Sequence, residues 1–192
     1  MQKSGEKLNL YFELILYVLA LGCFFYFWFQ GNYEKAFQGV LIITVLLMIR
    51  LLLKRIEAVV FPLLRFSILF FILLTMILAK EFDFYGIIPN LDKIEHLLSG
   101  VILTFVGLVI HRALDGRAEA SNPSKSIIIL FSVIFAIAMA GLWEIYEFST
   151  DQIFGFNSQN GSLVDTMGDI ICGTIGGGMA GIYLALKKEE KD

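Results

Sequence analysis

The segment 127–148, IIILFSVIFAIAMAGLWEIYEF, decides the fold class of this chain. It is longer than the roughly 17 residues that a helix needs to cross the hydrocarbon core of a bilayer. Its first charged residue, Glu144, comes only near its end. Hydrophobic residues make up 57% of the 192 residues, and soluble domains do not carry repeated apolar runs of this length. We therefore expect an integral membrane protein.

Further apolar segments extend this pattern over the whole chain. No internal repeat or linker divides the sequence, so we predict a single all-α transmembrane domain over residues 1–192, a polytopic bundle of about six spans. The third span is the least regular, because Pro62 and Arg65 interrupt its start. Residues 54–62 are alternatively an interfacial segment, with Arg65 snorkelling to the headgroups. The predicted spans are 8–29, 36–53, 63–80, 94–111, 127–148 and 163–186.

Basic residues are distributed unevenly between the two sides of the predicted bundle. Only Lys35, Lys80 and Lys93 fall on one side. Cytoplasmic loops carry the excess of Lys and Arg in membrane proteins, so we predict that both termini are cytoplasmic. The residues on the other side are Lys3, Lys7, Arg50, Lys54, Arg55, Arg65, Arg112, Arg117, Lys125, Lys187, Lys188 and Lys191.

Three short pairs of ionisable residues lie near the same predicted ends of the last three spans. They are Asp92 with His96, Glu144 with Glu147, and Asp165 with Asp169. Spacings of three and four residues place each pair on one face of a helix. A carboxylate at the centre of a span costs roughly 3 kcal/mol even on permissive insertion scales, so such residues usually mark a functional site. In the predicted orientation all three pairs lie near the outer face of the membrane.

Some of these residues also have a purely structural interpretation. Asp92, with Glu95 three residues later, is compatible with a helix cap, and Asp165 follows Ser162 in the same way. Glu144 and Glu147 have no such explanation, since they are expected in the last turns of a helix, where the dipole disfavours carboxylates.

Small residues are expected to bring the three acidic faces together, because they let transmembrane helices approach closely. The glycines concerned are Gly100, Gly141, Gly173, Gly177 and Gly181.

The ordered set of motifs resembles the YjdF-type inner-membrane proteins of bacteria and is similar, more distantly, to the VanZ-like group. The motifs are DKIEH at 92–96 with Gly100, GLWEIYE at 141–147, and DTMGD at 165–169 with Gly173 and Gly177, within residues 90–181. The resemblance implies a small multi-pass protein of the bacterial cytoplasmic membrane. The VanZ-like group further implies an influence on the cell surface or on its lipid-linked precursors. A VanZ-like chain often has Gln at the position of Glu147 and Asn at that of Asp169. This chain is acidic at both positions, which favours the YjdF-type kinship.

The composition of the pairs favours a divalent metal site. Carboxylates and one imidazole suit Mg²⁺, Mn²⁺, Zn²⁺ or iron, and the facing helices of a bundle can hold such ligands. The expected metal ligands are Asp92, His96, Glu144, Glu147, Asp165 and Asp169. With His96 and Glu144 as catalytic groups, we expect activity on a lipid or a lipid-linked envelope substrate at the outer leaflet. The Gly- and Asn-containing segment 149–164 is expected to form a flexible lid.

Two alternatives remain open at this point. The same acids are compatible with a cation- or proton-coupled transporter, although the polar side chains below them are only Thr104, Ser132 and Thr174. A non-catalytic envelope factor with a structural ligand site is the third hypothesis. A nucleic-acid partner is not expected, because the net charge is −3 and the basic residues form no stripe. Cys23 and Cys172 both lie within apolar spans and are not expected to form a disulfide.

Overall fold

Long helices account for almost all regular structure in the computed structural model, which describes residues 2–55, 60–115, 123–155, 159 and 162–187. Six described helices are long and apolar enough to cross a membrane, so the prediction of a multi-pass all-α fold is confirmed. The cytoplasmic placement of the termini stays a prediction. The α-helices are α1 (Gln2–Phe29), α2 (Tyr33–Arg55), α3 (Pro62–Ile72), α4 (Leu91–Asp115), α5 (Lys125–Phe154) and α6 (Leu163–Leu186). The third of the six candidate spans is α3 together with the residues that follow it, Pro62–Glu81.

The contacts divide the chain into two compact units. Unit 1 is Met1–Leu91 and unit 2 is Asp92–Asp192. Unit 1 contains α1, α2 and α3, and unit 2 is built from α4, α5 and α6. The expectation of a single transmembrane domain stays a prediction.

Unit 1 packs around an apolar core supplied by α1, α2 and the third span. That span does not remain α-helical throughout, since a π-helical segment, Leu73–Glu81, continues α3. Pro62 opens α3 rather than interrupting it, because the missing N–H of proline is not needed in the first turn. The buried core residues are Leu16, Ala20, Ile42, Leu46, Leu69, Ile72 and Ile77.

Arg65 forms an ion pair at the start of the third span. Its Nη2 lies 2.7 Å from Oε2 of Glu13 in α1, and Nη1 of Arg50 lies 3.3 Å from Oε1 of the same carboxylate. Arg65 therefore pairs inside unit 1, and its expected snorkelling to the headgroups stays a prediction. Residues 56–59 of the expected interfacial segment lie outside the described residues.

Glycines bring the backbones of α4 and α6 into direct contact in unit 2. A β-carbon at Gly100 would overlap the carbonyl oxygen of Gly173, and a β-carbon at Gly176 would overlap that of Leu97. Gly141 has no atom within 4 Å of such a β-carbon, so its expected packing role is wrong. The close approach of α4 and α6 sets the two acidic faces side by side.

Helix α5 is longer than its apolar run predicts. It continues through Ser149 to Phe154 and ends at Gly155, which adopts the left-handed conformation with φ +72°. Glu144 therefore lies almost three turns before the end of α5, and the placement of Glu144 and Glu147 in its last turns was wrong. The expected lid is helical over residues 149–154, whereas Asn157, Asn160 and Gly161 lie outside the described residues.

Candidate functional site

Three carboxylates surround one imidazole nitrogen in unit 2. Nε2 of His96 lies 3.6 Å from Oδ1 of Asp92, 3.7 Å from Oδ1 of Asp169 and 3.9 Å from Oε1 of Glu144. All three distances exceed the roughly 3.2 Å limit of a good N–H···O hydrogen bond. The four atoms therefore face one another without any pair forming a direct hydrogen bond. We call Asp92, His96, Glu144 and Asp169 the acid–imidazole cluster.

Local helix geometry explains how these side chains come together. Asp92 lies in the first turn of α4, with His96 one turn later on the same face. Ser162 caps α6 by accepting a hydrogen bond from the backbone N–H of Asp165 at 3.3 Å, as predicted from its spacing. Asp169 then lies one turn further along α6, where the close approach to α4 brings it to His96. Asp92 stands inside α4 rather than before it, so the cap interpretation of Asp92 does not apply.

Burial within the cluster is graded. The side chains of Asp169, Glu144 and His96 are 3%, 4% and 9% exposed, whereas that of Asp92 is 38% exposed. Asp92 therefore connects a buried group of ionisable atoms to the surface of the unit.

Lys93 is the residue beside the cluster that the sequence analysis did not single out as a site residue. Its Nζ lies 2.7 Å from Oδ1 of Asp165, 2.7 Å from Oδ1 of Asp169 and 3.4 Å from Oδ2 of Asp92. It also donates to the backbone carbonyl of Asp165 at 3.2 Å. One feature of the sequence could have drawn attention to Lys93, since it is a cation directly next to Asp92. Adjacent residues do not share a helix face, however, so the spacing rule that found the three pairs does not find Lys93.

A charge excess remains after Lys93 is counted. The cluster and Asp165 together supply four carboxylates, and Lys93 pairs with the aspartates but makes no described contact with Glu144. Buried carboxylates are costly unless they are paired or bound to a cation. Lys93 therefore relieves the repulsion on the α6 side of the cluster and leaves Glu144 to be compensated in another way.

Glu144 is the least satisfied member of the cluster. Its Oε2 accepts a hydrogen bond from Nε2 of Gln159 at 3.4 Å, and the same Nε2 also donates to the Glu144 backbone carbonyl at 3.2 Å. Its Oε1 is buried and has no hydrogen-bond partner among the described residues. That oxygen is the one that faces His96. Gln159 was not singled out by the sequence, since it follows α5 in a polar stretch without a motif.

The six predicted site residues are not all equivalent in the structure. Asp92, His96, Glu144 and Asp169 form the cluster, and Asp165 joins it through Lys93. Glu147 lies one turn beyond Glu144 in α5 and accepts a hydrogen bond from Nε1 of Trp143 at 3.0 Å, at an exposed position. The assignments of Glu147 and Asp165 as metal ligands stay predictions.

Three members of the cluster lie close enough together to hold a metal ion. One ligand atom from each of Asp92, His96 and Asp169 lies within 4.8 Å of the other two. Imidazole nitrogen and carboxylate oxygens bind Zn²⁺ at about 2.0–2.2 Å, so neighbouring ligand atoms in a tetrahedral site stand about 3.3 Å apart. The separations of 3.6–3.9 Å between Nε2 of His96 and the three carboxylate oxygens are somewhat longer than that value. Oε1 of Glu144 faces the imidazole but is not one of the three mutually close ligand atoms.

One family model matches almost the whole chain. Its description is "Predicted membrane protein (DUF2238)", and the match covers residues 11–190. This is the family of the YjdF-type proteins, so that resemblance is confirmed, while the more distant VanZ-like resemblance stays a prediction. No curated protein and no solved structure matches the chain.

Proposed function

The chain belongs to the DUF2238 family of predicted membrane proteins, and from this premise we propose that its acid–imidazole cluster binds a divalent cation and acts on a lipid or lipid-linked envelope substrate. The observation that carries the proposal is Oε1 of Glu144. This oxygen is buried, lacks a hydrogen-bond partner among the described residues and faces Nε2 of His96 at 3.9 Å. A cation between the two atoms would satisfy both.

The residues have distinct roles in this proposal. Asp92, His96, Glu144 and Asp169 are the ligands, while Asp165 acts through Lys93, which holds Asp169 in place as an outer partner holds a metal ligand. When bound, a divalent cation would supply Lewis-acid activation of water and charge neutralisation at a phosphate. His96 and Glu144 are the proposed catalytic groups: His96 would hold the cation through Nε2, and the second carboxylate oxygen of Glu144 would accept a proton from the activated water.

A lipid-linked substrate agrees with the surroundings of the cluster. The aspartates lie in the first two turns of α4 and α6, at the level where a span meets the headgroups. Leu163, Val164 and Met167, in the first turns of α6, are strongly exposed apolar side chains. Such a rim suits a substrate with an apolar anchor and a polar headgroup. A bacterial envelope precursor is the partner that we propose.

Transport receives less support from the same unit. The hydroxyl of Thr104 donates to the carbonyl of Gly100 at 2.9 Å, and that of Ser132 donates to the carbonyl of Ile128 at 2.8 Å. Both side chains are fully buried. Their donor protons are used within their own helices, so these residues do not continue the cluster as a relay.

Metal affinity tests the proposal directly. We expect the purified protein to bind one Zn²⁺ or Mn²⁺ in competition with a chromophoric chelator. Glu144→Gln should weaken binding at least about tenfold, as loss of a metal ligand or its close partner does. Glu147→Gln is the matched control, since it removes the same charge from the same helix and should retain the affinity. Equal affinity in all three proteins, each eluting as the same species, would contradict the proposal.

Substrate chemistry requires a second measurement. The metal-loaded protein in vesicles that contain headgroup-labelled phospholipid or a lipid-linked saccharide should release labelled product, and His96→Ala should abolish that release. Metal binding without turnover on either substrate would favour the structural ligand site over the enzyme. Metal-dependent flux of the cation across the vesicle membrane would instead favour the transporter.

A further inference from the structure

A second polar cleft lies in unit 1, far along the sequence from the acid–imidazole cluster. It has a volume of about 340 Å³ and is formed by α1, α2 and the start of α3. Its polar lining is Glu6, Asn9, Arg50, Lys54 and Arg65, with three cations against one acid. Because cations from α2 and α3 converge there, the cleft is suited to an anionic ligand.

Glu13 fixes the two arginines of this cleft. Its side chain is 2% exposed, and its two carboxylate oxygens receive Arg65 at 2.7 Å and Arg50 at 3.3 Å. Each guanidinium uses one Nη on Glu13, and its other N–H groups have no acceptor among the residues that the structure describes. Arginine presents several donors in a rigid fork that matches phosphate oxygens. Glu13 therefore orders the arginines and leaves donors free for a ligand.

Asn9 provides an independent sign of a missing ligand. It is 1% exposed, and its Nδ2 donates to the carbonyl of Pro62 at 2.8 Å. Its Oδ1 is buried and has no hydrogen-bond partner within the described part of the chain. A buried amide oxygen without a donor costs about 1–3 kcal/mol. The cleft thus offers one acceptor that needs a donor beside several donors that need an acceptor.

An apolar groove adjoins the same cations. Lys54 lines both the polar cleft and a groove whose other lining residues are Met48, Leu51 and Leu52. The three apolar side chains are exposed. An anionic group beside an apolar surface is the arrangement of a phospholipid, whose phosphate and acyl chain would meet the cleft and the groove together. Free phosphate has no apolar part that could contact the groove.

We propose that the cleft of unit 1 binds the headgroup of an anionic phospholipid with a hydroxylated headgroup. The phosphodiester lies against Arg50, Arg65 and Lys54, and a headgroup hydroxyl donates to Oδ1 of Asn9. In the orientation predicted from the basic residues, the cleft faces the cytoplasmic leaflet. The lipid holds α1, α2 and α3 together at that end, independently of any chemistry in unit 2.

Native mass spectrometry of the full chain, released from mixed phosphatidylglycerol and phosphatidylcholine, tests this inference. We expect one retained phosphatidylglycerol, with at least about fivefold preference over phosphatidylcholine, because phosphatidylcholine has the same phosphate but brings a quaternary ammonium towards the cations of the cleft and has no headgroup hydroxyl for Asn9. Arg50→Gln should remove the preference. Lys54→Gln leaves Glu13 and both arginines in place and keeps the test decisive if Arg50→Gln aggregates. Arg112→Gln, an exposed arginine of α4, is the matched control and should keep the preference.

The possible results separate the lipid from other ligands. Loss of the preference in Arg50→Gln or Lys54→Gln, but not in Arg112→Gln, supports the lipid site. An equal preference for phosphatidylglycerol in wild type and in all variants would overturn the proposal. Thermal stabilisation by inorganic phosphate alone, without preference between the two lipids, would also overturn it and would assign the cleft to free phosphate.

Discussion

Lys93 determines whether the aspartates of α4 and α6 can lie together in the absence of a cation. Its ammonium contacts Asp165 and Asp169 at 2.7 Å each, and the Asp169 side chain is only 3% exposed. Removing one partner of a buried ion pair leaves an uncompensated charge, which costs more than the pair itself contributes. Loss of Lys93 is therefore expected to destabilise unit 2.

Lys93→Met should destabilise the metal-free protein. We expect the free energy of unfolding to fall by about 3 kcal/mol, because Asp169 would lose the ammonium that Lys93 holds 2.7 Å from its Oδ1. In detergent with a chelator present, this corresponds to a melting temperature about 6–12 °C lower. Differential scanning fluorimetry measures the shift.

Two further variants make this prediction specific. The double variant Lys93→Met/Asp169→Asn should recover part of the loss, since it removes the charge that Lys93 compensated. Lys125→Gln is the control, because Lys125 is exposed and contacts only the carbonyls of Ala185 and Lys187 in the described chain. A decrease of the same size in Lys125→Gln would show that Lys93 acts only through the net charge.

Sequence spacing reveals the residues of one helix face but not their partners on other helices. The spacing of Asp92 with His96 predicted a shared face, and the structure places both in the cluster. Lys93 follows Asp92 directly, and its main partner Asp165 is 72 positions away, so no local pattern links the two. Glu13 is hidden in the same way, as one acid within an apolar run whose partner Arg65 is 52 positions away.

At the scale of elements, glycines set the distance between α4 and α6. Gly100→Ala and Gly176→Ala each place a methyl group onto a carbonyl oxygen of the facing helix. A backbone group cannot rotate away, so the helices must separate. We expect each variant to lose about 2 kcal/mol of stability. Each should also weaken metal binding, because Asp169 would move away from His96.

Gly178→Ala is the matched control for this prediction. Gly178 lies in the same stretch of α6, but no atom lies within 4 Å of a β-carbon built there. Alanine is favoured over glycine in a helix by roughly 1 kcal/mol, so the variant should be at least as stable as wild type. Thermal melting of the three variants measures the change in stability, and chelator competition measures the change in metal affinity. A loss in Gly178→Ala equal to that in Gly176→Ala would contradict the packing argument.

Hydropathy located the spans well but misplaced some of their ends. The run that predicted α5 stops at Phe148, whereas the helix continues through polar residues to Phe154. Hydropathy measures the preference for lipid and not the propensity for helix, so a helix that emerges from the membrane looks shorter than it is. For this reason Glu144 does not lie at the C-terminal end of the helix dipole, as the sequence predicted. The functional interpretation of Glu144 rests instead on the burial of its side chain.

At the scale of the whole molecule, composition alone was enough for the fold class. A run of about 20 apolar residues in a bilayer must satisfy its backbone hydrogen bonds internally, and a helix does so. The number of spans follows from counting such runs, and the structure has the same six. The division into two compact units, with the boundary between Leu91 and Asp92, could not be read in this way, because no linker marks it.

Membrane orientation is the prediction on which the location of the proposed chemistry depends. The bias of Lys and Arg places the C-terminal end of α4 inside and that of α5 outside. Arg112 is an exposed position near the C-terminal end of α4, and Gln152 is an exposed position near that of α5. In intact cells, a membrane-impermeant maleimide should therefore label Gln152→Cys and not Arg112→Cys, while permeabilised cells should give labelling of both. Wild type, with Cys23 buried and Cys172 half-buried, serves as the background control. The reverse pattern in intact cells would place the acid–imidazole cluster at the cytoplasmic face, and the search for its substrate would have to move to the inner leaflet.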